Sequence, residues 1–215
     1  MSVSISSTRK ILVLAPHTDD GEFGCGGSIA RLINEGKEVF YVAFSTAEES
    51  VPDPWPKDIL KTEVKEATKR LGIPRDNLII CNFKVRELSY HRQEILEELV
   101  KIKNDVCPDL VFLPSSNDLH QDHSTIFIEG IRAFKNTTIL GYEIPWNNID
   151  FQTEAFIILS EENISQKIHV LDAYNSQKGR SYANEEFIRS LARMRGVQIG
   201  SRYAEAFEVI RLVVA

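Results

Sequence analysis

The chain has 215 residues, 43% of them hydrophobic and 26% charged, with a formal net charge of -6. That length and balance describe a globular protein whose core is large enough to need no disulfide staples. The acidic balance excludes a general nucleic-acid binder, which needs a basic face, but leaves room for a small anionic ligand held locally.

Apolar runs alternate with helical patterns along the chain. "KILVLAPH" reads as a buried strand, followed by a glycine-rich stretch and a helix, "GGSIARLINEGK", that ends at Gly36. "EVFYVAFST" is a second strand. "PKDILKTEVKEATKRLGI" places Ile59, Leu60, Val64, Ala67 and Leu71 at helical spacing, with Gly72 as a stop. "NLIICNF" is a third strand, "HRQEILEELVKIKNDV" an amphipathic helix, and "DLVFLP" a fourth strand beyond Pro108. "DHSTIFIEGIRAFK" follows as a helix and "TTILGYEI" as a strand. After about residue 145 the rhythm changes to a strand ("EAFIILS"), two helices ("EENISQKIHVLDAYNSQ" and "NEEFIRSLARMRG") and a final strand ("AEAFEVIRLVV"). This order predicts an α/β fold with a mostly parallel central sheet covered by helices on both faces. No linker or repeat interrupts it, so residues 1–215 are expected to form a single domain.

Cys25, Cys81 and Cys107 are widely spaced and form no CxxC pair, which fits a reducing compartment. "MSVSISSTRK" lacks the apolar core of a signal peptide, and no apolar run approaches the roughly 20 residues of a membrane span. The expectation is a cytoplasmic protein with neither a membrane span nor a nucleic-acid partner.

Sites in open parallel sheets form beyond the carboxyl ends of strands. His17, Asp19 and Asp20 fall just past the first strand, and His120, Asp122 and His123 just past the fourth. The two clusters therefore meet at one edge of the sheet, offering imidazoles and carboxylates together. A hydrolytic zinc site needs three protein ligands and one open position for water, with a nearby carboxylate as base and a further group to stabilise the oxyanion. Other readings stay open at this level: Asp before a helix can be an N-cap, and HxDH can be a helix start with Asp122 capping and His123 exposed. Gly21, Gly24, Gly26 and Gly27 precede a helix, but their G-x-x-G-x-G-G spacing is not the dinucleotide pattern. They fit close packing or approach of the backbone to substrate. Cys25 reads as a packing residue, and His91 and His169 as structural or exposed positions in helices.

The residues P-H-T-D-D-G-E-F-G-C-G-G-S (Pro16 to Ser28) and H-Q-D-H (His120 to His123) resemble the two motifs of the LmbE-like or PIG-L-like zinc-dependent de-N-acetylases, A-H-P-D-D-x-x-x-G-C-G-G-T and H-P-D-H. "AYNSQ" around Tyr174 and "YAEAF" from Tyr203 to Phe207 are also similar. The resemblance implies a Rossmann-like three-layer sandwich and removal of an N-acetyl group from an N-acetylated amino sugar, a small-molecule N-acetylglucosamine-type conjugate. It implies His17, Asp20 and His123 as ligands of Zn2+, with Fe2+ or another divalent ion as alternatives. It makes Asp19 the general base, and His120 the stabiliser of the oxyanion or the proton donor to the amine. Asp122 becomes a carboxylate that orients an imidazole, that of His120 in the first instance. Adjacent side chains of an extended loop diverge, so Asp20 can face a metal while Asp19 faces its water. Small relatives often assemble, which adds a homo-oligomer to the expectations. Thr18 and Gln121 replace family prolines, and Leu60 stands where many small members carry an arginine. Trp55, in "DPWP", is a candidate sugar platform, Trp146 a second rim aromatic, and Arg180 and Tyr182 candidates for a phosphate or hydroxyl. Alternatives of other classes are a metal-dependent phosphoesterase and a non-catalytic sugar-binding member of the same fold.

Overall fold

A computed structural model of the chain describes residues 8–214. The first residues of the segment read as lacking a signal core, 1–7, lie outside the described residues. The chain runs β1 (Lys10–Ala15), α1 (Asp20–Asn34), β2 (Glu38–Ala43), α2 (Ile59–Leu71), β3 (Leu78–Ile80), α3 (Arg92–Val106), β4 (Leu110–Pro114), α4 (Gln121–Ala133), β5 (Thr138–Tyr142), β6 (Ala155–Leu159), α5 (Glu161–Leu171), α6 (Glu185–Val197) and β7 (Tyr203–Arg211).

The strands form one seven-stranded sheet in the order β3-β2-β1-β4-β5-β7-β6. β1 to β5 pair in parallel, and β7 is antiparallel to both β5 and β6. β1 shows why the apolar run is unbroken: Ile11, Val13 and Ala15 enter the core on one face, Leu12 and Leu14 the core on the other. A strand buried on both faces has no polar side to alternate with. Ile29, Val64, Ile164 and Ile188 carry α1, α2, α5 and α6 into the first core. Leu99 and Ile126 carry α3 and α4 into the second. Each fully buried aliphatic side chain contributes about 1.5–3 kcal/mol, so both cores are substantial and the architecture is the three-layer α/β sandwich expected.

β1 has β2 on one side and β4 on the other. This is where the strand order reverses, and a crevice opens there at the carboxyl ends of the strands. The loops after β1 and β4 carry the two polar clusters.

Two local expectations need correction. The first long helix begins at Asp20 rather than near the glycine pair, and it is broken at Cys25 (φ -143°, ψ 22°). Side chains from distant elements satisfy the backbone groups freed by the break. The Gly27 and Ser28 N–H groups donate to Glu205 at 3.0 and 2.7 Å. Lys167 Nζ donates to the Phe23 carbonyl and to Glu205, each at 2.6 Å. The glycines let this helix lie against the sheet, since a Cβ at Gly27 would come within 2.6 Å of Leu159 Cδ1. The third strand is also shorter than "NLIICNF", because β3 is the sheet edge and pairs only with β2 over Leu78–Ile80.

Candidate active site

His17, Asp19 and Asp20 sit at the turn from β1 into α1. Asp19 is the residue before the helix, in helical rather than extended geometry (φ -107°, ψ -8°), and its side chain caps nothing. The divergence of the two aspartates is thus that of successive residues at a helix start, not of an extended loop. Behind them the turn is fixed by a buried polar cluster. The Tyr174 hydroxyl donates to the Thr18 carbonyl at 2.6 Å and lies 3.0 Å from Glu22 Oε1. The Tyr41 hydroxyl contacts the other Glu22 oxygen and accepts from the Gly21 N–H at 3.1 Å. Glu22 is fully buried. Burial pushes its carboxyl up to about 8, against the pull of the two hydroxyls.

His120, Asp122 and His123 sit at the start of α4. His120 is the N-cap, and its Nδ1 accepts the Asp122 N–H at 3.2 Å. Asp122 and His123 are buried, so the reading of a helix start with an exposed His123 does not hold. The structure brings both clusters together. His17 Nδ1 lies 3.0 Å from Asp20 Oδ2, His123 Nε2 lies 3.2 Å from the same oxygen, and the two ring nitrogens are 3.3 Å apart. Three donor atoms in so small a triangle match the spacing of ligands around one ion bound at about 2.0–2.2 Å. The far nitrogen of each imidazole meets a carboxylate: His17 Nε2 is 3.0 Å from Asp122 Oδ2, and His123 Nδ1 is 2.7 Å from Asp118 Oδ2. Metal-ligating histidines are oriented in this way. The residues therefore fit a divalent metal.

His17, His120 and His123 also form a compact trio, with one nitrogen of each within 4.8 Å of the others. The shorter triangle that includes Asp20 is the better ligand set, because it adds an anionic oxygen and uses the two imidazoles whose outer nitrogens are paired. Burial pulls His17 and His123 downward, but Asp20 and their other carboxylate partners outweigh it and raise them to about 9 and about 10. His120 goes the other way. Burial and the two neighbouring imidazoles push it down to about 4, so it is neutral near pH 7, with its proton on Nε2 because Nδ1 is an acceptor. Asp19 is raised to about 6 by burial and then by the charge of Asp20, while His17 and Arg180 pull it back.

The expectation that Asp122 orients His120 is corrected. Its carboxylate is held by the Arg86 and Leu88 N–H groups at 2.6 and 3.3 Å, which turns it onto His17. Asp118 was not foreseen. It accepts the His120 N–H at 2.9 Å while holding His123, and in sequence it looks like an ordinary turn residue before a helix.

The donor triangle opens into a cavity of about 360 Å³, within the size range of small-molecule sites. Asp19, Leu60, Arg86, Trp146, Arg180 and Tyr182 are among its walls. Trp146 and Tyr182 stack with centroids 3.6 Å apart and planes at 9°, with Phe23 edge-on to both. Glu63 holds the loop that bears Arg180 and Tyr182 by accepting from the Ser176 N–H at 3.0 Å and its hydroxyl at 2.6 Å. Trp55 is 38% exposed and not part of the lining. The chain turns over Pro52–Trp55 and gives Ala47 and Ser50 to the cavity instead. No helix among the described residues is long and apolar enough to cross a membrane.

The chain is 29% identical over 184 residues to the uncharacterized deacetylase YaiS of Escherichia coli K12, covering 81% of this chain and 97% of that protein. It is 23% identical to the diacetylchitobiose deacetylase of Thermococcus kodakarensis, over 95% of this chain and 84% of the relative. Among solved structures, the N,N'-diacetylchitobiose deacetylase from Pyrococcus horikoshii, complexed with its inhibitor MPG, superposes with a TM-score of 0.80 at 24% identity, covering 94% of this chain and 84% of that one. The pattern of the PIG-L family, described as GlcNAc-PI de-N-acetylase, matches residues 12–134, a span that contains all of the donor triangle. The chain belongs to the PIG-L family.

Proposed function

We propose that the protein is a zinc-dependent hydrolase that removes the N-acetyl group from an N-acetylated amino sugar conjugate, releasing acetate and a free amine. The observation that carries this reading is the His17–Asp20–His123 triangle with the uncommitted carboxylate of Asp19 beside it in the same cavity. Two nitrogens and one oxygen suit Zn2+, and Fe2+ is compatible with the same set. A bound ion would supply Lewis acidity and lower the pKa of a coordinated water. Asp19 takes the proton of the attacking water as its oxygen bonds to the acetyl carbonyl carbon. His120, neutral, gives the oxyanion a hydrogen bond from Nε2–H. When the C–N bond breaks, Asp19 returns its proton to the amine. Asp122 and Asp118 position His17 and His123. The flat Trp146–Tyr182 pair and Phe23 provide an aromatic wall against which a sugar face packs. The names of the diacetylchitobiose deacetylase relatives support an N-acetylated sugar as substrate.

The test is an assay of acetate release across a panel of N-acetylhexosamine conjugates, using zinc-loaded and chelated protein. Zinc-dependent release from at least one conjugate is expected. Release of phosphate from phosphorylated members without acetate, or binding of the sugars with no product, would overturn the reading.

A further inference from the structure

Arg86 combines three features. Its backbone is left-handed, with φ of 68°, a conformation that side chains other than glycine enter at a cost. Its N–H holds the carboxylate that orients His17. Its side chain lines the cavity and is fixed by a bond to Ser50 Oγ at 3.1 Å. The backbone role needs only an N–H at that φ, and glycine supplies it with less strain. An exposed guanidinium here therefore answers a demand made by the side chain.

Arg180 enters the same cavity from the loop between α5 and α6. Its Nε donates to Gln177 Oε1 at 2.6 Å, and the guanidinium lies 5.9 Å from the centroid of the Tyr182 ring. Arg92, Arg132 and Arg195 are each bound to a buried glutamate. No salt bridge to Arg86 or Arg180 occurs among the described residues. In a chain of net charge -6, both arginines line one cavity and are oriented by neutral partners; the charge of Arg180 acts on Asp19 in that cavity without a direct ion pair. Planar guanidinium groups so held recognise carboxylate or phosphate through paired N–H donors.

We propose that Arg86 and Arg180 form an anion-binding subsite at the rim of the cavity, so that the group attached to the amino sugar carries a carboxylate or a phosphate. The sugar part of this ligand rests on the deacetylase reading above; the anion subsite does not.

Three matched probes test it: the methyl glycoside of N-acetylglucosamine, its carboxymethyl glycoside, and N-acetylglucosamine 1-phosphate. Affinity for the zinc-loaded protein is measured by calorimetry, and acetate release is measured separately. The wild type is expected to bind at least one anionic probe about ten- to a hundredfold tighter than the neutral one, the range that charged hydrogen bonds supply. The carboxymethyl and phosphate arms identify the anion. Arg86→Gly and Arg180→Ala should each lose most of that preference, and Arg86→Lys should keep part of it. Arg86→Gly should also unfold at the same or a higher temperature than the wild type, because it relieves the backbone; a merely structural arginine would not combine unchanged stability with lost anion selectivity. Equal affinity for all three probes, or a preference untouched by both substitutions, overturns the subsite. Acetate release without any anion preference rejects the subsite alone, whereas arginine-dependent anion binding without acetate release rejects the reaction alone.

Discussion

The carboxylate of Asp122 lies 3.0 Å from Nε2 of His17, a residue 105 positions earlier in the chain. This contact ties the loop after β1 to the start of α4 and turns His17 Nδ1 toward Asp20. The same carboxylate stabilises a proton on the ring, as do Asp20 for both imidazoles and Asp118 for His123. With these groups raised to about 9 and about 10, both are protonated at pH 7 in the metal-free protein and must lose a proton to ligate. Zinc binding at pH 7 should therefore release protons, and apparent affinity should rise with pH up to the region of 9–10. Calorimetry in two buffers of different ionisation enthalpy reads the release directly; a heat independent of buffer would contradict it.

Asp118 touches no reacting atom but holds His123 Nδ1 at 2.7 Å. Asp118→Asn should weaken zinc binding about 10- to 100-fold, the usual effect of removing a carboxylate behind a ligating histidine. Competition with a chromogenic chelator measures it. His123→Ala should abolish stoichiometric zinc by elemental analysis.

Asp19→Ala should keep its zinc and lose about 10²–10⁴-fold in kcat, as expected for removal of a general base. Near-normal turnover with full zinc would remove Asp19 from that role.

A base must be deprotonated to act, so kcat/KM should fall as pH drops through the pKa of Asp19. That group is raised to about 6 by burial and by Asp20, and lowered by His17 and Arg180. A bound cation pulls it further down, placing the acidic limb at or below about 6. Arg180→Ala removes a positive charge that favours the carboxylate, so the limb should move to higher pH. A limb that stays in place or moves down would contradict the assignment.

Lys167 and Glu205 are a buried pair at 2.6 Å. Lys167→Met leaves the carboxylate buried and the Phe23 carbonyl unpaired, and should cost about 3–5 kcal/mol. In a chain of this size that corresponds to a fall in Tm of about 6–20 °C. Thermal unfolding of the apoprotein tests this without involving the metal.

The sheet was legible because its strands are buried on both faces: "KILVLA" and "DLVFLP" can be little else between helical patterns. The convergence of the two polar clusters was legible because their residues follow the ends of adjacent parallel strands. Pairings set by three-dimensional register were not. Nothing local distinguishes Asp118 from a turn residue, or reveals that the Arg86 N–H turns Asp122 onto His17 rather than His120. The break at Cys25 was hidden for a related reason, since the groups that stabilise it, Lys167 and Glu205, lie 144 and 178 residues from the backbone they serve. Trp55 was a fair candidate by composition, but the turn at Pro52–Trp55 carries it away from the cavity.

The broken helix α1 bears on what can be inherited or transplanted as a unit. The family-matched span, residues 12–134, contains every donor of the triangle, yet Lys167 and Tyr174, which seat the first turn of α1, and Glu205, which holds the backbone after its break, all lie beyond it. A fragment cut to that span would carry the whole proposed ligand set and lose the groups that fix the start of α1. The motif is thus not a portable cassette: the last third of the chain is a jig for the first, and swaps between relatives should exchange both together.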